Sequence, residues 1–294
     1  MTVWKGLGLM RLLGLLALAA RWVWGQWRWN GLTQDLHAQL QAERRAPQPA
    51  RYDSARELPG LPEPVQRYFL QALPEGAPMV SAAFITHRGT FNTGENVDAW
   101  KPFTSEQQVV TQRPGFVWDG RVHMMSGLTV HVHDAYVAGI GLLRPALAGV
   151  FTLAELRGTR EVAEGELMRY FAEAAWYPTA LLPSQGVHWQ AIDAQQARAT
   201  LTDGALSLTP TFTFGDDGLI SRVRAEARGR IVGGQTVPTP WEGRWSGYRT
   251  QDGMKVPGGG EVAWLLPDGE GSGARDKPYW RGTVMALRYE FAVR

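Results

Sequence analysis

The chain has 294 residues, 44% of them hydrophobic, enough for one large domain with a substantial core. Its formal charge is +2, but Lys5, Arg11, Arg21 and Arg28 place +4 in the first thirty residues without an acid, leaving 26 basic against 28 acidic residues, a net of −2, in the rest. A mildly acidic body removes the electrostatic support for nucleic-acid binding, and zero cysteines exclude disulfides, thiolate zinc sites, cysteine nucleophiles and a lipidated N-terminal cysteine.

Residues 1–29 begin with a charged stretch, carry an apolar run from Leu12 to Ala20, and then place Trp22, Trp24, Trp27 and Trp29 as an interfacial aromatic belt would be placed. The pattern predicts a membrane anchor, with Arg11 and Arg21 reaching opposite interfaces if residues 3–27 insert. A signal peptide cleaved near Ala17-Leu18-Ala19, which would release a secreted protein, and a buried helix are the alternatives. The globular part is expected outside the cytoplasm. Residues 30–60 are expected to be a helix and linker: a polar helix over 31–45 with a stripe of Leu32, Leu36 and Leu40, then the linker Ala46-Pro47-Gln48-Pro49-Ala50, together a spacer between membrane and body. Residues 61–294 are expected to form a single β-rich domain. It starts with a helix near Pro64 that buries Val65, Tyr68, Phe69 and Ala72 and stops at Leu73-Pro74.

From residue 78 the period changes from helical to alternating. Strands are predicted over 80–91, 106–112, 187–193, 196–202, 241–250, 259–266 and 279–291, with turn signals at Gln251-Asp252-Gly253 and Pro267-Asp268-Gly269. Two hairpins can be set in register. In the first, from Phe116 to Val137 about Met125-Ser126-Gly127, placing Met124 opposite Leu128 also sets Val122 against Val130 and Trp118 against Asp134. The other face then pairs His123 with Thr129, Arg121 with His131 and Asp119 with His133. The second joins 205–214 to 219–228 through Gly215-Asp216-Asp217-Gly218. It sets Leu206, Leu208, Phe212 and Phe214 on the face of Leu219, Val223 and Ala225, and Thr209, Thr211 and Thr213 with Arg222, Arg224 and Glu226 on the reverse. Roughly ten strands interrupted by one conspicuous helix define a mainly β (α+β) chain. The expected shape is a curled antiparallel sheet, half-barrel or barrel, covered by a few helices, with a hydrophobic N-terminal helix.

The conspicuous helix is expected over 164–175. It places Leu167, Tyr170, Phe171 and Ala174 on one face and Glu166, Arg169 and Glu173 along another, before Pro178 and Pro183 stop it. Arg169, Tyr170, Ala172, Glu173, Ala174 and Trp176 through Pro183 spell a core that resembles a family of uncharacterised bacterial proteins sharing R-Y-x-A-E-A-x-W-Y-P-T-A-L-L-P. In architecture alone the layout is similar to periplasmic lipoprotein carriers, whose curved sheet and covering helices enclose a greasy cavity. No residue carries over from that likeness.

The candidate site residues follow from chemical anomalies. Arg169 and Glu173 precede Trp176-Tyr177-Pro178, so this charged face is read either as solvated or as turned inward toward a cavity. Asp134 falls on the face of Leu128, Val130, Val132 and Tyr136, where burial demands a cation such as Arg169, unless it is a turn residue before Gly139. Trp241 and Trp245, with Gly243 between them, present a flat aromatic surface suited to an acyl chain or a sugar ring. Arg121 or Arg169 would meet an anionic head group. Asp119, His123, His131 and His133 lack a strong metal-ligand motif, so no metal is assigned, and no cofactor fingerprint or nucleophile elbow is present. Three functions follow: a membrane-anchored protein binding a lipid-like or other amphiphilic ligand, an envelope hydrolase using Asp134, Glu166 and Glu173, or a structural and interaction protein of the cell envelope.

Overall fold

The computed structural model describes residues 2–95, 97–267 and 274–292. Helices are α1 (Thr2–Ala42), α2 (Ser54–Glu57), α3 (Glu63–Ala72) and α4 (Arg160–Ala172). The anchor and the polar helix expected as separate pieces form one continuous α1, because Gly25, Asn30 and Gly31 weaken helix formation without stopping it. Its two halves differ. Leu13, Leu16, Trp22, Val23, Trp24 and Trp27 are exposed, whereas Trp29, Leu36 and Leu40 are buried against the sheet. The stretch read as a spacer is therefore a docked element: Leu36 and Leu40 pack with Ala82, Val110, Val117 and Ala135. Among the described residues no helix is long and apolar enough to cross a membrane. α3 follows its sequence pattern, with Pro64 in the first turn and Val65, Tyr68, Phe69 and Ala72 buried.

Strands β1 (Val80–Asn92), β2 (Trp100–Val110), β3 (Gly115–Met125), β4 (Leu128–Val137), β5 (Ile140–Leu147), β6 (Phe151–Thr152) and β7 (Leu156–Arg157) precede α4. After it come β8 (His188–Ala191), β9 (Gln196–Asp203), β10 (Leu206–Leu208), β11 (Thr211–Phe214), β12 (Ile220–Val232), β13 (Gln235–Ser246), β14 (Arg249–Gln251), β15 (Met254–Val256), β16 (Gly259–Pro267) and β17 (Ala274–Phe291). Among the described residues fifteen strands share one antiparallel sheet, ordered β10-β9-β11-β12-β13-β16-β17-β1-β2-β3-β4-β5-β6, with β7 on β5 and β8 on β9. The sheet does not close. β14 and β15 form a separate hairpin at the expected Asp252-Gly253 turn; the turn expected at Asp268-Gly269 lies outside the described residues.

The β3–β4 hairpin has the predicted register: Trp118 faces Asp134, Asp119 faces His133, Arg121 faces His131 and Val122 faces Val130. Only the tip departs, where a bulge puts Met125 rather than Met124 opposite Leu128. The second hairpin keeps Phe212 opposite Val223 and Thr213 opposite Arg222, but residues 205–214 are not one strand. Pro210 cannot donate to a ladder, so β10 folds back onto β9 and only β11 continues toward β12.

Strands far apart in the sheet order meet the same helix. α4 touches β3, β4, β5 and β7 on one arm and β10 and β12 on the other, so the sheet curls around it as a plug. α4 begins earlier than its pattern suggested, capped by the Thr159 hydroxyl, which accepts from the Val162 N–H at 3.3 Å. It ends at Ala172, and three short 3-10 turns (Glu173–Trp176, Pro178–Leu181, Pro183–Gln185) carry the rest. Gly141 lets the helix approach β5 this closely: a Cβ there would lie 2.7 Å from the Val162 and Ala163 backbone.

Every residue from Tyr170 to Leu182 is buried. The polar atoms of this stretch close backbone contacts. The Tyr177 hydroxyl donates to Tyr170 O at 2.6 Å, the Trp176 indole to Pro257 O at 3.0 Å, and Thr179 Oγ1 accepts from the Val80 N–H at 3.0 Å. These bonds stitch the turns to β1 and to the loop before β16.

Candidate functional site

Between α4 and the concave face of the sheet lies a cavity of about 610 Å³. Its walls are apolar, drawn from alternate positions of the strands: Val122 on β3, Val130 and Val132 on β4, Leu143 on β5 and Val262 on β16. Trp118, Trp241, Trp245, Trp264 and Trp280 complete them. Three indoles lie flat because their floor is glycine. A Cβ at Gly120, Gly260 or Gly282 would come within 2.1, 2.4 or 2.2 Å of the rings of Trp118, Trp245 or Trp280.

Five charged side chains meet at the inner end. Arg169 on α4 donates through Nε to Glu173 Oε1 at 2.8 Å, through Nη1 to Asp134 Oδ2 on β4, and through Nη2 to Gln107 Oε1 at 3.4 Å. Gln107 Nε2 closes the ring onto Glu173 Oε2 at 2.7 Å. The guanidinium also lies over the rings of Phe116 and Trp118, 4.9 and 5.1 Å from their centroids. Arg228 on β12 donates to Gly165 O and to the Tyr279 hydroxyl, each at 3.1 Å, packs over Trp241, and stands 3.9 Å from Glu166 Oε1.

Burial disfavours the Arg169 charge, but Glu173, Asp134 and Glu166 together hold its pKa above the ordinary arginine value. Glu166 moves the other way. Burial, the neighbouring Asp134 charge and a hydrogen bond to Asp134 push its pKa well up, against the pull of Arg228 and Arg169. Asp134 Oδ1 and Glu166 Oε2 are both buried with no donor among the described residues. The five formal charges sum to −1, so a proton held by Glu166 would bring the cluster to neutrality. His87, behind Trp176 and Trp280, is held neutral, its pKa lowered to about 3 by burial and by Arg169.

The opposite face of the same hairpin is also covered. Trp29 of α1 stacks on His133 with centroids 3.7 Å apart, meets His131 edge-on, and donates its indole N–H to Asp119 Oδ1 at 3.1 Å. Thr33 gives its hydroxyl proton to Trp29 O and so accepts from His133 Nε2, 2.7 Å away, which assigns the imidazole tautomer. His131 and His133, two of the histidines considered as metal ligands, are thus a docking surface for α1. Among the described residues no three His, Asp or Glu side chains gather in an arrangement that would hold a metal ion.

Of the residues singled out from sequence, Asp134, Arg169, Glu173, Trp241 and Trp245 all line the cavity. The solvated reading of the α4 charges and the turn reading of Asp134 both fall away, since Asp134 sits within β4 and is paired to Arg169. Arg121 does not line the cavity; side-chain alternation puts it on the convex face, bonded to Asp119 at 3.0 Å. Trp176 and Tyr177 are core residues behind the cavity wall. Arg228 was missed because strand parity groups it with the reverse-face residues Arg222, Arg224 and Glu226. A bulge between Ala225 and Arg228 inverts that parity and turns it inward. Gln107 carried no signal beyond its place in a strand.

Fold and site define a class: an open, curled antiparallel sheet wrapped around a plug helix, with an apolar cavity that ends in buried, compensated charge. Residues 59–289 match a family of unknown function, DUF6920, and the chain belongs to that family. The matched span takes in α3, the sheet and the plug helix, and it leaves out α1. No curated protein matches the chain.

Proposed function

We propose that the chain is a membrane-attached protein, with its β-rich domain outside the cytoplasm, that holds a lipid-like amphiphile in the cavity between α4 and the sheet. The observation that carries this reading is the cavity itself. Its volume of about 610 Å³ falls in the range of small-molecule sites, its walls are mostly aliphatic and aromatic, and its polar groups converge at one end. Burying an acyl chain there supplies roughly 0.8 kcal/mol per CH₂.

The mouth supports attachment to a membrane. Leu153 and Ile231 line the cavity yet are 58% and 43% exposed, so they mark its rim. Beside them Phe151 packs under the Arg21 guanidinium of α1 at 4.8 Å, and Gln26 bonds Ala148 O at 3.0 Å. The rim thus lies next to the exposed aromatic half of α1, the segment read as membrane-seeking, and this supports entry of an acyl ligand from that side. Native mass spectrometry of the detergent-extracted chain, followed by organic extraction, tests the proposal. A stoichiometric amphiphile is expected; a clean apo mass from freshly extracted protein contradicts it.

A second reading, hydrolysis of an envelope substrate, is favoured by one observation: Asp134, Glu166 and Glu173 do come together, with Glu166 poised as a proton donor. Two of the three are occupied by Arg169, which is the arrangement of a structural clamp. Turnover of an acyl ester or glycoside that is lost in Glu166→Gln with the fold intact would move the assignment to an enzyme.

A further inference from the structure

We infer that the cavity selects an amphiphile whose polar end is uncharged, a hydroxyl, ester or amide head group, over one carrying a phosphate, carboxylate or amine. This rests on reading the cavity as a binding site and concerns what its inner end can recognise.

An anionic head group needs a guanidinium with a free fork of N–H donors. Arg169 has no guanidinium nitrogen without a hydrogen bond, and on Arg228 only Nη2 lacks one, lying 3.9 Å from Glu166 Oε1. Arg169 spends Nε on Glu173, Nη1 on Asp134 and Nη2 on Gln107. Arg228 spends Nε on Gly165 O and Nη1 on the Tyr279 hydroxyl, and its Nη2 faces Glu166. An incoming phosphate would have to displace a buried carboxylate while lying against two others, and an unpaired buried charge is strongly unfavourable. A cationic head group fares no better, because two carboxylates are already paired to Arg169 and the third, Glu166, faces Arg228 at 3.9 Å. The remaining charged groups on the lining, Glu95, Glu161, Arg230 and Lys277, are two acids and two bases toward the solvent-facing mouth.

The polar capacity that remains is neutral in character. Trp118 and Trp245 line the cavity at 3% and 6% exposure, and their indole N–H groups are buried with no hydrogen-bond partner among the described residues. Asp134 Oδ1 and Glu166 Oε2, likewise buried without a partner, are acceptors on side chains that line the same cavity. Unpaired indole donors and carboxylate acceptors together match a group that both accepts and donates, such as a glyceryl hydroxyl.

Three probes with the same oleoyl or oleyl chain separate the outcomes: monooleoylglycerol, oleoyl lysophosphatidic acid and oleylamine. Each is titrated at pH 7 into the delipidated full chain held in amphipol, and bound stoichiometry is read by native mass spectrometry. Monooleoylglycerol is expected to bind at least about tenfold more tightly than either charged probe. Glu173→Gln, which releases one side of Arg169, is expected to tighten the lysophosphatidic acid probe about tenfold while circular dichroism stays unchanged. Trp118→Phe removes one N–H at nearly constant area, and it should weaken only the neutral probe by roughly fivefold. Equal or tighter binding of a charged probe by the unmodified chain overturns the head-group inference and leaves the cavity reading standing. Failure of all three probes to bind overturns the cavity reading, and the head-group inference with it.

Discussion

The two faces of the β3–β4 hairpin bury polar groups by opposite means. On the concave face Asp134 is paired with Arg169, and a ring of charge-assisted hydrogen bonds compensates the burial. On the convex face His131 and His133 are buried as neutral imidazoles beneath Trp29, with pKa values lowered to about 4 and about 3, mainly by burial and further by Arg121 and, for His133, Arg144 and His37. Charge pairing fails when a partner is removed, whereas neutral burial fails when a proton is added. The same two strands therefore respond to different perturbations on their two sides.

The contrast is broken most severely on the concave side. Arg169→Met leaves buried carboxylates without their cation and is expected to lower unfolding stability by about 3–5 kcal/mol, measured by urea denaturation. A loss below about 1 kcal/mol would mean the network is water-screened rather than buried. On the convex side Trp29→Ala removes a stacked, hydrogen-bonded indole and is expected to weaken docking of α1 by about 3 kcal/mol. Hydrogen exchange should then rise over residues 29–40, with the cavity strands unchanged.

Acid sharpens the comparison without mutation. Both histidines have folded values below the ordinary 6.5, so the undocked state binds protons first. Docking is at full strength above pH 6.5 and is lost progressively as the pH falls from there toward 4. Exchange of α1 amides measured at pH 7 and pH 5, corrected for intrinsic rates, should show the loss over 29–40 alone. Rising pH acts on the other face. The Glu166 value is raised, so its contribution is complete below the ordinary carboxyl range and diminishes as the pH climbs through the folded value. Glu166→Gln keeps a neutral donor in place. Thermal denaturation should show a Tm at pH 7 within a few degrees of the parent, roughly the effect of 1 kcal/mol or less, and a flatter alkaline limb.

Much of this site was legible as chemistry out of place. Asp134 stood out as a carboxylate on an apolar face, Arg169 and Glu173 as a charged pair running into aromatic residues, and all three meet at the cavity end. Trp241 and Trp245 were legible as a flanking pair, and both line the wall. Arg228 and Arg121 were illegible for complementary reasons: a bulge reversed the parity of one, and nothing in the hairpin's register said which of its faces would be concave. The fate of α1 was equally hidden. Its tryptophans read as one membrane belt, yet Trp29 is buried on the sheet while Trp22, Trp24 and Trp27 are exposed.

Local periodicity set the strands, the α3 helix, the β3–β4 register and the helical start of the Arg169 segment, because alternation and 3.6-residue spacing are short-range properties of the chain. Partnership across the molecule was decided elsewhere. The pairing of β17 with β1 and the cover of α1 over His131 and His133 join residues more than a hundred positions apart, and the wrapping of both sheet arms about α4 joins residues tens of positions apart. Such contacts depend on which buried surfaces fit together once the sheet has curled, and no window of sequence contains both sides of that fit.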